Sequence, residues 1–265
     1  MSSGFDVSSR ITPVGEGCYR AQTDSSWQQG RGVFGGLLLA LVVRSAQAAG
    51  QGQRLRALSM EFVAPVMPGP IELRVQSERS GLLVARQSIR LLQDDKLVGL
   101  AMTSLARDRD MRGDFQSARI PDCPPADRVE HVPFAPPMPA FTQHLRYRFC
   151  LGAAPGSGSS QSRAGGWIEA PDVRQPGDAA LIAALLDSWF PAWLCRMNAL
   201  APMATVSFHA HFLSPWGPDP GSTPVLIENI SDAAVGGYAT ETNQLWSRDG
   251  RLLARSQQLL ALLGG

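Results

Sequence analysis

The sequence contains one lysine, few cysteines and no long apolar run. Lys96 is the single lysine among 24 basic residues, and 23 acidic residues leave a net charge of +1. Such a balance gives no electrostatic reason to expect nucleic acid or an anionic membrane as the main partner. No run reaches the roughly eighteen apolar residues of a membrane span, and the first residues lack the basic-then-apolar layout of a signal peptide. We therefore expect a cytoplasmic protein without a membrane span.

The cysteines and histidines also lack the spacing of a metal site. Four cysteines lie far apart, without a CxxC pair, at positions 18, 123, 150 and 195, so neither zinc nor a disulfide framework is predicted. His209 and His211 share one face of a predicted strand, but a third ligand is not near in sequence, which favours a structural role. No GxSxG motif occurs, which disfavours a serine hydrolase of the α/β type. We predict no metal and no cofactor.

One helix followed by a run of strands occurs twice along the chain. A helix is predicted over 37–49 and another from Ala179, and turn residues separate the predicted strands. The strand predictions are 18–23, 55–64, 71–80, 82–93, 97–106, 142–151, 167–170, 203–213, 225–231, 235–246 and 252–263. A helix combined with an antiparallel meander indicates the α+β class.

The two halves match in sequence as well as in pattern. Phe62-Val63-Ala64-Pro65 corresponds to Phe212-Leu213-Ser214-Pro215, an offset of 150 positions (212 − 62 = 150). Between the halves lies a segment with seven prolines from Pro121 to Pro139, which predicts an extended linker. We predict repeats over 1–107 and 142–265, joined by a linker over 108–141. The repeats are expected to pair through their open edge strands as a pseudo-dimer.

The second helix contains a carboxylate in an apolar setting. Eight apolar residues from Ala179 to Leu186 precede Asp187, and aromatic residues follow it. Pro191 lacks the N–H that would bond the Asp187 carbonyl, so the helix should kink or end just past the acid. An ionised carboxylate is costly in such a helix unless it is hydrogen-bonded or gains a proton. A structural role and a functional role for Asp187 are both compatible with this pattern.

Further polar candidates lie on the strands and at the first helix. Alternation along the last strand places Gln258 on an apolar face that should cover the helix, and Thr205 adds a hydroxyl on the strand after the helix. Phe34-Gly35-Gly36 opens the first helix, where free N–H groups can hold an oxyanion. The glycines are equally compatible with tight packing alone.

These residues resemble the double-hotdog acyl-CoA thioesterases of the thioesterase II type, over nearly the whole chain. The similarity lies in Val33-Phe34-Gly35-Gly36, in the two matched strand ends, and in three polar positions. It implies a tandem hotdog fold in which Asp187, Thr205 and Gln258 position the hydrolytic water. Leu37 departs from the family, which usually has Gln after the two glycines.

The resemblance implies hydrolysis of acyl-CoA to free acid and coenzyme A. With an ordinary pKa near 4, Asp187 would be ionised at pH 7 and could accept a proton from water. Thr205 and Gln258 would hold that water, and backbone N–H groups near Gly35 and Gly36 would receive the oxyanion, with Phe34 beside them. The partner expected is the acyl-CoA substrate, and the exposed edges of the paired hotdogs favour a homodimer or higher homo-oligomer.

Two alternatives remain. A hotdog hydratase or dehydratase would act on the same thioesters, but those enzymes typically set an Asp and a His in one short segment. No histidine lies near Asp187 in the sequence, which disfavours this reading. The other alternative is a non-catalytic acyl-CoA-binding protein that retains the shape without the chemistry.

Overall fold

The computed structural model describes residues 4–109 and 113–263. Its α-helices are α1 (Phe5–Ser8), α2 (Gly35–Ala49) and α3 (Ala179–Leu186). The first eight strands are β1 (Thr12–Gly15), β2 (Cys18–Thr23), β3 (Gln28–Gln29), β4 (Gly32–Val33), β5 (Arg54–Phe62), β6 (Gly69–Arg79), β7 (Val84–Gln93) and β8 (Lys96–Ala106). The remaining strands are β9 (Arg146–Gly152), β10 (Arg163–Glu169), β11 (Met203–Phe212), β12 (Val225–Val235), β13 (Tyr238–Trp246) and β14 (Leu252–Leu262). Short 3-10 helices cover Ser25–Trp27, Ala126–Arg128, Ala140–His144 and Ala192–Arg196.

One twelve-stranded antiparallel sheet runs through both halves of the chain. Its order is β1-β2-β6-β7-β8-β5-β11-β14-β13-β12-β10-β9. Counted outward from the central pair, β5-β8-β7-β6-β2-β1 in the first half corresponds to β11-β14-β13-β12-β10-β9 in the second. The central pair joins β5 to β11, with Ser59 opposite His209. These two residues differ by the same offset of 150 (209 − 59 = 150), so this pair lies on the pseudo-twofold axis. The predicted α+β class and the edge-to-edge pairing of two repeats are confirmed.

Helices α2 and α3 pack against each other inside the curved sheet. Gly36, at the start of α2, lies against the carbonyl of Ala184 near the end of α3. At the other end, Arg44 of α2 forms an ion pair with Asp178, the N-cap of α3. The two helices are therefore antiparallel. Both are apolar on nearly every side because the sheet and the other helix together exclude water from them.

The carboxyl end of α3 lies where the sequence predicted a break. The helix ends at Leu186, and Asp187 is its C-cap. Pro191 then opens the 3-10 helix over Ala192–Arg196, since proline cannot supply the N–H that would continue the α-helix.

The proline-rich segment lies on the outer face of the second half. The Trp167 indole N–H donates to the Pro124 carbonyl, and Gln116 exchanges hydrogen bonds with Gly250 and Leu252. A second apolar cluster, separate from the main core, is thereby enclosed between this segment and the sheet; it contains Ala126, Leu151, Trp167, Leu226, Trp246 and Leu252.

Several strand predictions in the second half are wrong at their boundaries; β12, for example, continues to Val235, where the next strand was predicted to begin. The strand predicted from residue 142 begins at Arg146, because residues 140–144 form a 3-10 helix. The strand predicted from 167 begins at Arg163 and includes Gly165 and Gly166, where neighbouring backbones leave no room for a Cβ atom. The division into 1–107, 108–141 and 142–265 stays a prediction; positions 1–3, 110–112 and 264–265 within it lie outside the described residues.

Candidate active site

Asp187 lies at the junction of the two helices. As the C-cap of α3 it faces the start of α2, where the backbone N–H of Gly36 bonds its carboxylate. A Cβ atom on Gly35 would come within 2.7 Å of Asp187 Oδ2. The absence of a side chain at Gly35 is therefore what allows the carboxylate to approach the helix.

The two glycines have different roles. A Cβ atom on Gly36 would lie 2.7 Å from the Ala184 carbonyl oxygen, so Gly36 permits close packing of α2 on α3. The first turn of a helix has N–H groups without intrahelical acceptors. Because the Gly36 N–H is directed at Asp187, the Gly35 N–H is the better candidate donor to a bound oxyanion. Gly36 therefore fits the packing interpretation of the glycine pair, and Gly35 fits the oxyanion-binding one.

Thr205 and Gln258 are joined by a hydrogen bond across adjacent strands. Thr205 Oγ1 donates to Gln258 Oε1 at 3.2 Å, between β11 and β14. The Gln258 amide Nε2 in turn donates to Glu241 Oε1 at 2.8 Å. The Glu241 carboxylate acts electrostatically on Asp187. Thr205, Gln258 and Glu241 thus form one hydrogen-bonded chain, and the charge of Glu241 links this chain electrostatically to Asp187.

Glu241 was not predicted as a site residue. It lies on β13, buried beneath the helices with 1% of its surface exposed. Along that strand Ala239, Glu241, Asn243 and Leu245 alternate on the buried face. This is the same signal that identified Gln258 on β14, so alternation along β13 would have identified Glu241 as well.

Both carboxyl groups resist ionisation. Burial and the neighbouring Glu241 charge raise the pKa of Asp187 to about 8, although the Gly36 hydrogen bond opposes the change. Burial also raises the pKa of Glu241 to about 7, against hydrogen bonds from Ala192 and Gln258. The expectation of an ordinary pKa near 4 for Asp187 is wrong. Since the two groups interact, their protons leave in steps that belong to the pair.

The other half of the chain lacks this cluster at the matching positions. Sheet register places Leu55 where the second half has Thr205, Thr103 where it has Gln258, and Gln87 where it has Glu241. Thr103 donates to Gln87, and Gln87 donates to the Ala46 carbonyl. This network is neutral. The helix junction on that side is closed by the Arg44–Asp178 ion pair.

A buried polar row next to the cluster shows the same contrast. Asn229, Asn243 and Ser256 lie opposite one another on β12, β13 and β14, whereas the matching residues of the first half are Val75, Ile89 and Ala101. Asn243 Nδ2 donates to the Leu186 carbonyl at 3.1 Å, and Asn229 Nδ2 donates to Glu241. The row therefore holds both the end of α3 and the buried carboxylate.

Other sequence candidates lie away from the cluster. Phe34 is fully buried, its ring stacks on Phe141 with ring centroids 3.8 Å apart, and its backbone N–H donates to the Trp27 carbonyl. His209 and His211 are exposed on the outer face of β11. No group of His, Cys, Asp and Glu with metal-binding geometry occurs in the part of the chain that the structure describes. Within those same residues no helix is long and apolar enough to cross a membrane.

Comparison with known families places both halves. Residues 23–106 match the model of the acyl-CoA thioesterase N-terminal domain, and residues 120–262 match that of the C-terminal domain. The chain belongs to the acyl-CoA thioesterase family. The second match begins inside the proline-rich segment, which agrees with the packing of that segment on the second half. No curated protein sequence matches the chain significantly.

Solved structures share the fold of this acyl-CoA thioesterase family member along its whole length. A protein of unknown function with a hotdog fold from Alicyclobacillus acidocaldarius is 22% identical, with a TM-score of 0.89 and 100% of both chains covered. A putative thioesterase II from Thermobifida fusca is 23% identical, with a TM-score of 0.83 and 97% of both chains covered. An acyl-CoA thioesterase II from Mycobacterium marinum is 16% identical, with a TM-score of 0.79 and 99% of both chains covered. The double-hotdog fold is confirmed.

Proposed function

We propose that this chain hydrolyses acyl-CoA thioesters, with Asp187 as the general base and the hydrogen-bonded pair of Thr205 and Gln258 positioning the attacking water. The observation that carries the proposal is the contrast between the halves. Among the residues that the structure describes, the second half alone has a carboxylate at the helix junction together with a hydroxyl–amide–carboxylate chain on the sheet beneath it. A purely structural network would not require a buried carboxylate on the sheet, since the matching strand positions of the first half hold the neutral residues Gln87 and Thr103.

The chemistry requires one proton to move twice. Ionised Asp187 removes a proton from the water while the water oxygen bonds to the carbonyl carbon of the thioester. The resulting oxyanion accepts a hydrogen bond from the Gly35 N–H at the start of α2, where the helix dipole favours negative charge. The intermediate then breaks its carbon–sulfur bond, and protonated Asp187 returns the proton to the departing thiolate. The products are a carboxylic acid and a thiol, and Asp187 is ionised again.

The four polar residues differ in their exposure to solvent. Asp187 and Thr205 each keep some accessible surface, whereas Gln258 and Glu241 are buried. Substrate and water would therefore meet Asp187 and Thr205 directly. Gln258 would act mainly by holding the Thr205 hydroxyl through the 3.2 Å hydrogen bond.

The test is the isosteric change Asp187→Asn. We expect turnover of acyl-CoA esters, followed by thiol release, to fall at least about 10²-fold, which is the lower end of a general-base contribution. The matched control is Asp178→Asn, the same change at the opposite end of the same helix, which should keep wild-type turnover. Near-normal hydrolysis by Asp187→Asn would refute the assignment.

The assay also separates the alternatives. A hydratase would yield a β-hydroxy product without thiol, and a binding protein would give neither product. The buried His144 stacks on Trp27 and bonds Ser26, not the cluster around Asp187, which disfavours hydration. A cytoplasmic location and a homo-oligomeric assembly stay predictions.

A further inference from the structure

The buried carboxylate of Glu241 has a hydrogen-bonding environment suited to an anion. It accepts hydrogen bonds from the Ala192 backbone N–H, from Asn229 Nδ2 at 3.3 Å and from Gln258 Nε2 at 2.8 Å. All three partners are N–H donors. A neutral carboxyl group would have to donate a proton of its own, whereas a carboxylate only accepts.

The charge on Glu241 sets the donor and acceptor directions of the hydrogen bonds from Gln258 to Thr205. Because a carboxylate cannot donate, Gln258 must turn its NH2 group toward Glu241 and its Oε1 toward Thr205. The Thr205 hydroxyl then donates to that Oε1, as the 3.2 Å hydrogen bond records. With its own proton engaged, Thr205 can only accept a hydrogen bond from the attacking water. That water would present one hydrogen to Thr205, the other to Asp187, and a lone pair to the thioester.

We propose that Glu241 is a positioning residue for this reaction: as an anion it fixes the Gln258 amide, and through that amide it fixes the hydroxyl proton of Thr205. The inference rests on the proposed function of Asp187, Thr205 and Gln258. Glu241 does not touch the reacting atoms in this scheme. Its negative charge also acts directly on the Asp187 carboxyl.

The first half shows that the fold does not need a charge at this position. Gln87 occupies the same place in the sheet, opposite Thr103 as Glu241 is opposite Gln258. It is 3% exposed and bonds the Ala46 carbonyl. A neutral amide therefore fits between these strands, and burial of a carboxylate there is an avoidable energetic cost. The charge is best explained by what it does to the residues beside it.

Two titratable groups face Glu241 from the elements packed against it. Asp187 approaches from the end of α3, and Cys195 from the 3-10 helix, where the Glu241 charge contributes to a raised pKa of the thiol. The groups that act on Asp187 and Glu241 include no arginine, lysine or histidine among the described residues. The hydrogen bonds to Glu241 therefore come from neutral donors, and its charge extends to Asp187.

The test is Glu241→Gln in the full-length protein, with Thr103→Val, in the neutral network of the first half, as the control. The new amide has one acceptor oxygen, so it cannot accept from both the Ala192 N–H and the Gln258 amide in their present orientation. If the Gln258 amide turns over in response, the Thr205 proton is freed. We expect kcat to fall about ten- to hundredfold, as for a displaced catalytic contact. Removal of the charge should also move the acid limb of the pH–rate profile down by about one pH unit or more. Thr103→Val should change neither quantity.

Carbon-13 NMR of the aspartate carboxyls gives a readout that does not depend on turnover. The Asp187 signal, identified by its loss in Asp187→Asn, should titrate at lower pH in Glu241→Gln than in the wild type. Glu241→Asp keeps the charge but shortens the side chain, so it should lower kcat and leave the acid limb near its wild-type position. This variant also serves if Glu241→Gln does not fold.

An unchanged kcat in either variant would overturn the proposal. So would a lower kcat in Glu241→Gln without movement of the acid limb and of the Asp187 titration. Failure of the wild type to release thiol would refute the proposed function instead, while the NMR titration would still test the coupling of the two carboxyls.

Discussion

Replacement of Asp187 by asparagine should make the folded protein more stable as well as less active. The pKa of Asp187 is raised from 3.8 to about 8 in the folded state. Between those values the folded chain binds a proton that the unfolded chain has released, so stability falls as the pH rises through this window. Asparagine has a similar shape, can accept the Gly36 hydrogen bond, and does not titrate. The variant should escape this loss.

The size of the gain follows from the shift. At pH 7 the folded wild type retains a proton about three pH units above the ordinary pKa of an aspartate, which corresponds to at most about 4 kcal/mol. Because Asp187 keeps some exposed surface, solvent lowers this figure, and we expect a gain of about 1–2 kcal/mol at pH 7. Below about pH 3 the gain should vanish, since both states then hold the proton.

Urea denaturation of wild type and variant at pH 4.5, 6, 7 and 8 measures the difference in free energy of unfolding directly. The control is Asp178→Asn, which removes one partner of the ion pair with Arg44. Asparagine also caps helices well, so this control should be neutral or slightly destabilised, without a gain that grows with pH. A difference between Asp187→Asn and wild type that is absent at pH 8, or constant from pH 4.5 to 8, would refute the reasoning.

Three further predictions concern the same site. Wild-type kcat/KM should rise with pH between about 6 and 8, because the general base must lose its proton and the pKa values of Glu241 and Asp187 are raised to about 7 and about 8; a profile flat from pH 5 to 8 would contradict this. Gly35→Ala should lower kcat by about tenfold or more with a modest loss of stability, since its Cβ would press on Asp187 Oδ2. Gly36→Ala should instead cost mainly stability, by about 1–3 kcal/mol, since its Cβ would press on the Ala184 carbonyl and the Phe34 ring. Thermal melts and steady-state kinetics of the two alanine variants distinguish these outcomes.

Repeated local patterns made the fold predictable from the sequence. The Phe62 and Phe212 strand ends identified the two repeats, and β5 and β11, which contain them, pair at the centre of the sheet. The errors occur where tertiary contacts decide the local structure. Gly165 and Gly166 look like loop residues in isolation, yet they belong to β10 because only glycine fits against the neighbouring backbones.

The candidate site was predictable in part. Residue types placed Asp187, Thr205 and Gln258, whose assigned roles stay predictions. Their electrostatics were not predictable, because the pKa of Asp187 depends on Glu241, which is 54 positions away in sequence (241 − 187 = 54) and was not connected to it by any motif. A raised pKa arises from three-dimensional burial and neighbouring charge, and a linear sequence shows neither directly.

The asymmetry between the halves determines how many ligand molecules each chain should bind. A pair of identical single-repeat subunits would offer two equivalent sites, whereas the proposed reaction uses one site per chain, made from the carboxylate at the end of α3 and the amino end of α2. A tight-binding inhibitor should therefore titrate with one equivalent per polypeptide. The repeat without the carboxylate is free to accumulate stabilising changes on β7 and β8, while it must keep the glycines that it contributes to its neighbour.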